Sequence, residues 1–272
     1  MGRIGLGILL IIIGVALAVT QFGGFGFNGG KSSGTIDEMV EASVSGVGTI
    51  RINGVSDDVQ VVNTSGDVIK VTLKGDYSSL TGYKPPTLEL EDKGNKLEIS
   101  VKYYAQMNIS MRRRTDFTVY LPDQYKESFQ VHVVSADVSI EERDLKELVV
   151  NTVSGDLTAN DIMADRIAVS TTSGEAHLED IQGELDFNTT SGDLNATFTA
   201  LTGDIYVDGV SSDIRLNLPD KSGFQVDYNT VSGDFNMAHE GTIRGKKDIE
   251  AQVGGGDHMV EVSTVSGDLS IR

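Results

Sequence analysis

The sequence contains no cysteine and no tryptophan, and only 4 of its 272 residues are proline. The absence of cysteine excludes disulfides, thiolate catalysis, cysteine-ligated zinc and a lipid-modified N-terminal cysteine. With 9 phenylalanines and 8 tyrosines, the chain has few large aromatic side chains to organise a core. Its apolar fraction of 39% therefore has to be spread over many Val, Ile and Leu positions, as in stacked β-sheets.

Basic residues are also scarce: 22 Lys and Arg stand against 40 Asp and Glu, a net charge of −18. Because binding to nucleic acid depends on cationic side chains that replace phosphate counterions, this balance excludes nucleic acid as a partner. It argues equally against broad adhesion to an anionic lipid surface. Two uses of the charge stay open: solubility of a β protein, and affinity for cations or a cationic partner.

Charge is absent altogether from Ile4 to Val19, and the uncharged stretch continues to Phe27. Its length is about that of one bilayer crossing. Arg3 precedes the stretch and Lys31 follows it, so the positive-inside rule places the N-terminus in the cytoplasm.

We therefore predict a transmembrane anchor at residues 1–22 and a Gly-rich spacer at residues 23–39. The protein is then a single-pass protein of the cell membrane whose C-terminal domain is extracytoplasmic. A cleaved signal peptide is the alternative, because residues 16–18 (Ala-Leu-Ala) have the small-x-small form that signal peptidase accepts.

A Ser-Gly-Asp triplet, or a close variant of it, recurs along the chain. The copies begin at Ser135, Ser154, Ser173, Ser191, Ser211, Ser232 and Ser266. Successive serines are separated by 19, 19, 18, 20, 21 and 34 residues. A near-constant period with one long final gap predicts stacked units that carry one insertion. An earlier segment, Ser56-Asp57-Asp58, fits the same template.

Apolar and polar residues alternate on both sides of each triplet, as at Ile167 and Val169 before Ser173 and at Ala176 and Leu178 after it. This period of two indicates two short strands, each with one buried face. Such a unit requires neighbours above and below it. The sequence therefore predicts an all-β fold, a β-solenoid of two-stranded coils of about 19 residues, with glycine supplying positive φ at each turn. A meander or sandwich of hairpins is the alternative.

The solenoid domain is expected to span residues 40–272, and residues 70–122 break its pattern. Four short alternating segments there, separated by turn signals, predict an antiparallel β insertion. The segment between Met237 and Met259 is expected to be a loop or hairpin that protrudes from the stack. A Leu-Pro-Asp sequence at residues 121–123 returns at residues 218–220, which suggests a longer superperiod.

The sequence shows no catalytic motif. None of the four histidines has a second His or Cys at metal-ligand spacing, and His132 and His177 are expected on the outward face of strands. A phosphate-binding loop at 254–257 is disfavoured because no helix follows it. Arg112-Arg113-Arg114 is the one run of three basic residues. It is expected at a solvated strand end, with an anionic cell-wall polymer or lipid headgroups as the alternative.

In-register coils would place the acidic residues of the triplets in one row. The row includes Asp137, Asp156, Glu175, Asp193, Asp213, Asp234 and Asp268. Turn chemistry explains the Ser, the Gly and the Asp together, since Ser and Asp side chains cap backbone N–H groups. A calcium ladder over Asp156, Glu175, Asp193, Asp213 and Asp234 is the alternative, because Ca²⁺ would relieve the repulsion between stacked carboxylates. No other cofactor is predicted.

The repeated Thr-x-Ser-Gly-Asp signature, as at residues 152–156 and 264–268, resembles a widespread bacterial family of adhesin-like domains of uncharacterised function. The family includes LiaG-like membrane proteins encoded beside envelope-stress regulators. The resemblance covers roughly residues 40–272 and implies an extracytoplasmic β-solenoid of the envelope with a role in adhesion or stress response. The long, polar, repetitive surface of such a solenoid favours a non-catalytic interaction module with a protein or cell-wall glycan partner. Two alternatives stay open: a calcium-dependent binding module, and a polysaccharide-acting enzyme on a β-helix scaffold.

Overall fold

The computed structural model describes residues 32–79, 84–104, 112–245 and 248–272. Within these ranges the secondary structure is β-strand with turns, and there is no helix. The strands are β1 (Ser32–Ser43), β2 (Thr49–Asn53), β3 (Val59–Thr64), β4 (Val68–Ser79), β5 (Thr87–Asp92), β6 (Lys96–Lys102), β7 (Arg112–Pro122), β8 (Ser128–His132), β9 (Val138–Asn151), β10 (Leu157–Thr171), β11 (Ala176–Thr189), β12 (Leu194–Phe198), β13 (Ile205–Asp208), β14 (Ile214–Asn217), β15 (Phe224–Ser232), β16 (Phe235–Met237), β17 (Thr242–Arg244), β18 (Asp248–Val253), β19 (His258–Ser266) and β20 (Leu269–Ile271).

Most of these strands form stacked coils whose neighbours pair in parallel. In each coil one strand lies on what we call face A and the next strand lies on face B, and in every coil except β6–β7 the two strands flank a Ser-Gly-Asp turn or a variant of it. Val169 is in register with Phe187 on face A, and Leu157 with Ala176 on face B. Written as face A strand then face B strand, the stacking order is β6–β7, β2–β3, β8–β9, β9–β10, β10–β11, β11–β12, β13–β14, β19–β20 and β15–β16. The predicted all-β architecture of stacked coils is confirmed.

The inward residues of the two faces form one hydrophobic cluster. The apolar residues that flank the triplets are buried in it, and Phe187 and Leu178 are fully enclosed. Phe235 and Met237 hold the same repeat positions but are only half-buried. They lie on β16, which pairs with β20 alone among the described strands, so no further coil covers them.

The coil is closed at the opposite edge by a sharp bend within single long strands. Glu142, Asp161 and Asp180 have φ angles of 52°, 54° and 54° and follow one another at intervals of 19 residues. There β9, β10 and β11 pass from face B to face A. A left-handed backbone costs a side chain-bearing residue about 1–2 kcal/mol, and Asp tolerates it better than most.

The stack does not follow the order of the chain at its two ends. Strands β19 and β20 lie between β13–β14 and β15–β16, although they come later in the sequence. At the other end, β2–β3 lie between β6–β7 and β8–β9. The long final gap in the repeat therefore reflects a coil that returns to the inside of the stack.

The segment 70–122 contains antiparallel pairs, β4 with β7 and β5 with β6, and also supplies the parallel coil β6–β7. Strand β1 pairs antiparallel with β4 from Ser32 onward, so residues 32–39 of the predicted spacer lie in a strand. We call residues 32–37 of β1, 74–79 of β4 and 112–116 of β7 the antiparallel arm, because they extend past the strands of the neighbouring coil.

At the other end of the stack, the segment between Met237 and Met259 contains the hairpin β17–β18, and β18 extends face A beside β15.

Candidate functional site

The repeated turn is held together by its own threonine. The hydroxyl oxygens of Thr152, Thr171 and Thr189 accept hydrogen bonds from the backbone N–H of the glycine three residues later, at 2.8–2.9 Å. These threonines are buried. Because the hydroxyl satisfies a turn N–H that would otherwise be enclosed without a partner, the threonine serves the fold.

The glycine of the triplet is required by the close approach of the next coil. A Cβ atom at Gly155, Gly174 or Gly192 would lie 1.7–2.0 Å from the carbonyl oxygen of the residue below it in the stack. The expectation of positive φ at these turns was wrong for all three, since none has a left-handed backbone. Among the triplet copies that begin at Ser135 to Ser266, Gly267, with φ of 149°, is the glycine that has one.

The acidic residues of the triplets form one row, as the sequence predicted, and each links two coils. The backbone N–H of Glu175 donates to Oδ1 of Asp156 at 2.8 Å, and that of Asp213 to Oδ1 of Asp193 at 2.9 Å. The stacking order of the row is Asp58, Asp137, Asp156, Glu175, Asp193, Asp213, Asp268 and Asp234. Turn chemistry thus accounts for one oxygen of most of these carboxylates. The calcium ladder stays a prediction.

In the described ranges, no group of three or more His, Asp or Glu side chains is placed so that it could hold a metal ion. His177 is exposed, with Nε2 3.3 Å from Glu175. His132 lies on the outward face of β8, as expected, but it is half-buried, and Asn151 lies 3.2 Å from its Nδ1. Burial, followed by the charges of Arg51 and Lys96, lowers the pKa of His132 to about 4. It is therefore neutral at physiological pH.

The outward side of face A carries a network of polar side chains across neighbouring coils. Arg166 contacts Glu147 at 3.2 Å and Asp186 at 2.7 Å, one coil to either side. At the start of the stack, burial alone would raise the pKa of Glu98, but hydrogen bonds from Lys93 and Asn53 lower it to about 2. These contacts link adjacent strands of a regular face, and none of them isolates a reactive group.

Arg143 is a polar residue that the sequence did not single out. It occupies the inward position that Ile162 and Ile181 hold in the next coils, and it is 3% exposed. Its Nη1 donates to the carbonyl oxygen of Leu121 at 3.2 Å, while Nε and Nη2 have no hydrogen-bond partner in the described part of the chain. Burial lowers the pKa of Arg143 to about 10. No periodicity signal could find it, because the surrounding pattern predicts an apolar residue.

An open cleft of about 1000 Å³ lies beside the first coils, and it too was missed. Its lining is polar and mixed in charge, with Asp67, Glu127, Lys126 and Lys146 on its walls. Lys126 is engaged with Asp144 at 3.2 Å. The lining residues come from five separate segments of the chain, so their spacing in the sequence gave no sign of their meeting.

The fold and the turn geometry define an all-β repeat protein whose signature residues build the stack itself. The chain belongs to the Toastrack DUF4097 family, whose sequence profile matches residues 47–175 and again residues 144–272. The two matches are offset by 97 residues, which equals the separation of the two Leu-Pro-Asp sequences. The resemblance inferred from the repeat is confirmed. None of the curated proteins compared with the sequence matches it.

Several solved structures are similar to the chain. A putative adhesin from Bacteroides fragilis is 13% identical, with a TM-score of 0.48, covering 91% of this chain and 100% of that one. A putative cell adhesion protein from Clostridium sporogenes is 14% identical, with a TM-score of 0.42 and coverage of 88% and 99%. A putative lipid binding protein from Parabacteroides distasonis is 15% identical, with a TM-score of 0.42 and coverage of 90% and 98%. At these values the likenesses carry no argument about function.

The predicted anchor at residues 1–22 lies outside the described residues. In the ranges that are described, no helix is long and apolar enough to span a membrane.

Proposed function

We propose that this protein is a membrane-anchored, extracytoplasmic module of the bacterial cell envelope that binds a partner and catalyses no reaction. The observation that carries the proposal is the use of the signature residues. Thr152 and its equivalents cap turns, Gly174 and its equivalents admit the next coil, and the acidic row links coils. Because these residues build the stack, they produce a long, regular surface, and such a surface suits an extended protein or glycan partner.

The anchoring part of the proposal is supported by the uncharged stretch from Ile4 to Val19 and by the strand that starts at Ser32. The test is fractionation of cells that express the full chain, with alkaline extraction of the membranes and determination of the mature N-terminus. Retention of residues 1–30 in extracted membranes, together with protease sensitivity of the domain on intact cells, is the expected result. A mature N-terminus near Val19 would show that the N-terminal segment is cleaved and that the protein is secreted and not anchored.

A calcium-dependent binding module is the second candidate, favoured by the alignment of the carboxylates in a single row. In its test, thermal unfolding of the full chain is compared with and without millimolar Ca²⁺, for the natural sequence and for Asp193→Ala. A rise in the melting temperature that disappears with Asp193→Ala would support calcium binding. An unchanged melting temperature would leave the row as turn chemistry.

Binding to the envelope is tested with purified cell walls. The intact protein is expected to sediment with the walls, while Phe187→Asp, which places a charge in the core and unfolds the stack, is expected to remain in the supernatant. Equal sedimentation of a folded control protein of similar charge would show that the binding is nonspecific.

A further inference from the structure

The antiparallel arm projects from the Ser-Gly-Asp edge of the stack. Residues 117–122 of β7 pair with β3, whereas residues 112–116 run past the start of β3 at Val59 and pair with β4. Five residues of antiparallel strand extend about 17 Å. The tip of the arm therefore lies well beyond the acidic row.

The tip is positively charged in a chain that carries a net charge of −18. The run Arg112-Arg113-Arg114 stands at register positions opposite Ser78, Tyr77 and Asp76, so one acidic residue accompanies three basic ones. Arg114 is exposed. Further back along the arm, Lys74 lies 3.6 Å from Asp37. The tip is thus a local reversal of the sign of the protein's charge.

The chain enters the domain at this same tip. Ser32 pairs with Ser79 on one side of β4, and Arg112 pairs with Ser78 on the other, so Ser32 and Arg112 are about two strand spacings, or ~10 Å, apart. Nine residues, 23–31, separate Ser32 from the predicted anchor, and they reach at most about 30 Å. If the anchor is inserted, the arm tip is the part of the described domain held nearest to the bilayer.

We propose that the tip of the antiparallel arm docks on the phosphate headgroups of anionic lipids beside the protein's own anchor. The inference rests on the proposed anchoring and adds the surface that the domain uses at the membrane. Guanidinium groups bind phosphate oxygens in bidentate pairs, and clustered basic residues near a membrane are attracted by anionic lipids. The short tether keeps the effective concentration of headgroups high, so a weak contact is sufficient.

The length of the arm resolves the conflict with the acidic row. At physiological ionic strength the Debye length is about 8 Å. Asp58 directly precedes Val59 and so stands level with residue 116, which holds the row about 14 Å, or nearly two Debye lengths, from Arg112. The arginine run can then contact anionic lipid without bringing the carboxylates of the turns close to it.

The test uses the full chain reconstituted in vesicles of phosphatidylcholine, with or without phosphatidylglycerol. Because the chain has no cysteine, Thr35→Cys gives one labelling site on the exposed side of the arm, and Asn195→Cys gives a matched site on face B. Energy transfer from each label to headgroup-labelled lipid is measured. Phosphatidylglycerol is expected to increase transfer from position 35 and not from position 195.

The triple variant Arg112→Gln, Arg113→Gln, Arg114→Gln is expected to remove that increase, with the ratio of docked to undocked arm falling close to a hundredfold. High salt should have the same effect. Transfer from position 35 that is independent of phosphatidylglycerol, or unchanged in the triple variant, would overturn the proposal.

Two further outcomes distinguish a failure of membrane docking by the arm tip from a failure of the proposed anchor. A chain that fails to float with phosphatidylcholine vesicles would refute the anchor, a result that the triple variant would share. Soluble polyglycerol phosphate is then added without vesicles. Tighter arginine-dependent binding to this polymer than to phosphatidylglycerol vesicles would identify a wall polymer as the occupant and refute membrane docking.

Discussion

Replacing Gly174 by Ala tests whether the turn glycine is needed for stacking. The added Cβ would lie 2.0 Å from the carbonyl oxygen of Gly155 and 3.0 Å from Oγ1 of Thr171. The two coils would have to separate by about 1 Å, an overpacking that costs ~1–3 kcal/mol. Separation also weakens the inter-coil hydrogen bonds from Ser173 and Glu175, at ~1 kcal/mol each.

The lower entropy of the unfolded alanine chain offsets ~0.4–1 kcal/mol of this cost. We therefore expect Gly174→Ala to reduce the free energy of unfolding by about 2–4 kcal/mol, a large part of the ~5–15 kcal/mol of a typical domain. The assay is urea unfolding of the full chain in mild detergent, followed by far-UV circular dichroism. The midpoint should fall while the slope stays constant.

Two controls separate stacking from backbone conformation. Gly66 has φ of 98° and open space around its Cβ position, so Gly66→Ala should cost only ~1–2 kcal/mol of strain. Ala136 holds the glycine position of its own coil, and Ala136→Gly should cost ~0.5–1 kcal/mol. A Gly174→Ala protein that is no less stable than Gly66→Ala would refute the stacking argument.

Three further predictions concern the core and its charged groups. Since the pKa of His132 falls from 6.5 to about 4 on folding, protonation favours the unfolded chain between those pH values, and stability should decline by at most ~3 kcal/mol as pH falls through that window. His132→Asn should flatten this decline in melting curves. Arg143→Ile, which matches Ile162 in the next coil, should leave stability unchanged or raise it by ~1–4 kcal/mol in urea titrations; a clear loss would show that the buried guanidinium is favourable. Phe187→Ala should cost ~3–5 kcal/mol and half-buried Phe235→Ala distinctly less, and equal losses would contradict the account of the end coil.

The sequence was sufficient to predict the structure of a single coil, but it was insufficient to predict the order of the coils at the ends of the stack. Period-two alternation around each triplet determines which side chains point inward, so the burial of Val169 and Leu178 could be predicted. The segments 224–237 and 258–271 carry the same pattern, however, and periodicity cannot tell which of them stacks on β13–β14. That order depends on the hairpin β17–β18.

The row of carboxylates in the candidate site could be predicted from the sequence, but the role of the turn glycines and the burial of Asp57 could not. A stacked repeat brings Asp156 and Glu175 together whatever the turn geometry. A glycine in sequence, however, does not reveal whether it is needed for positive φ or for close approach. Asp57 occupies the glycine position of the coil β2–β3 as a buried carboxylate that accepts hydrogen bonds from the hydroxyls of Tyr103 and Thr115. Those donors come from distant segments that no local pattern connects.

The placement of β19–β20 inside the stack has a consequence for biosynthesis. Residues 258–271 are translated after residues 224–237 but fill the layer between them and residues 205–217. A chain interrupted before residue 258 presents two facing strand edges with no strand between them, and unpaired edges are sites of aggregation. Completion of synthesis is thereby coupled to closure of the last gap in the stack.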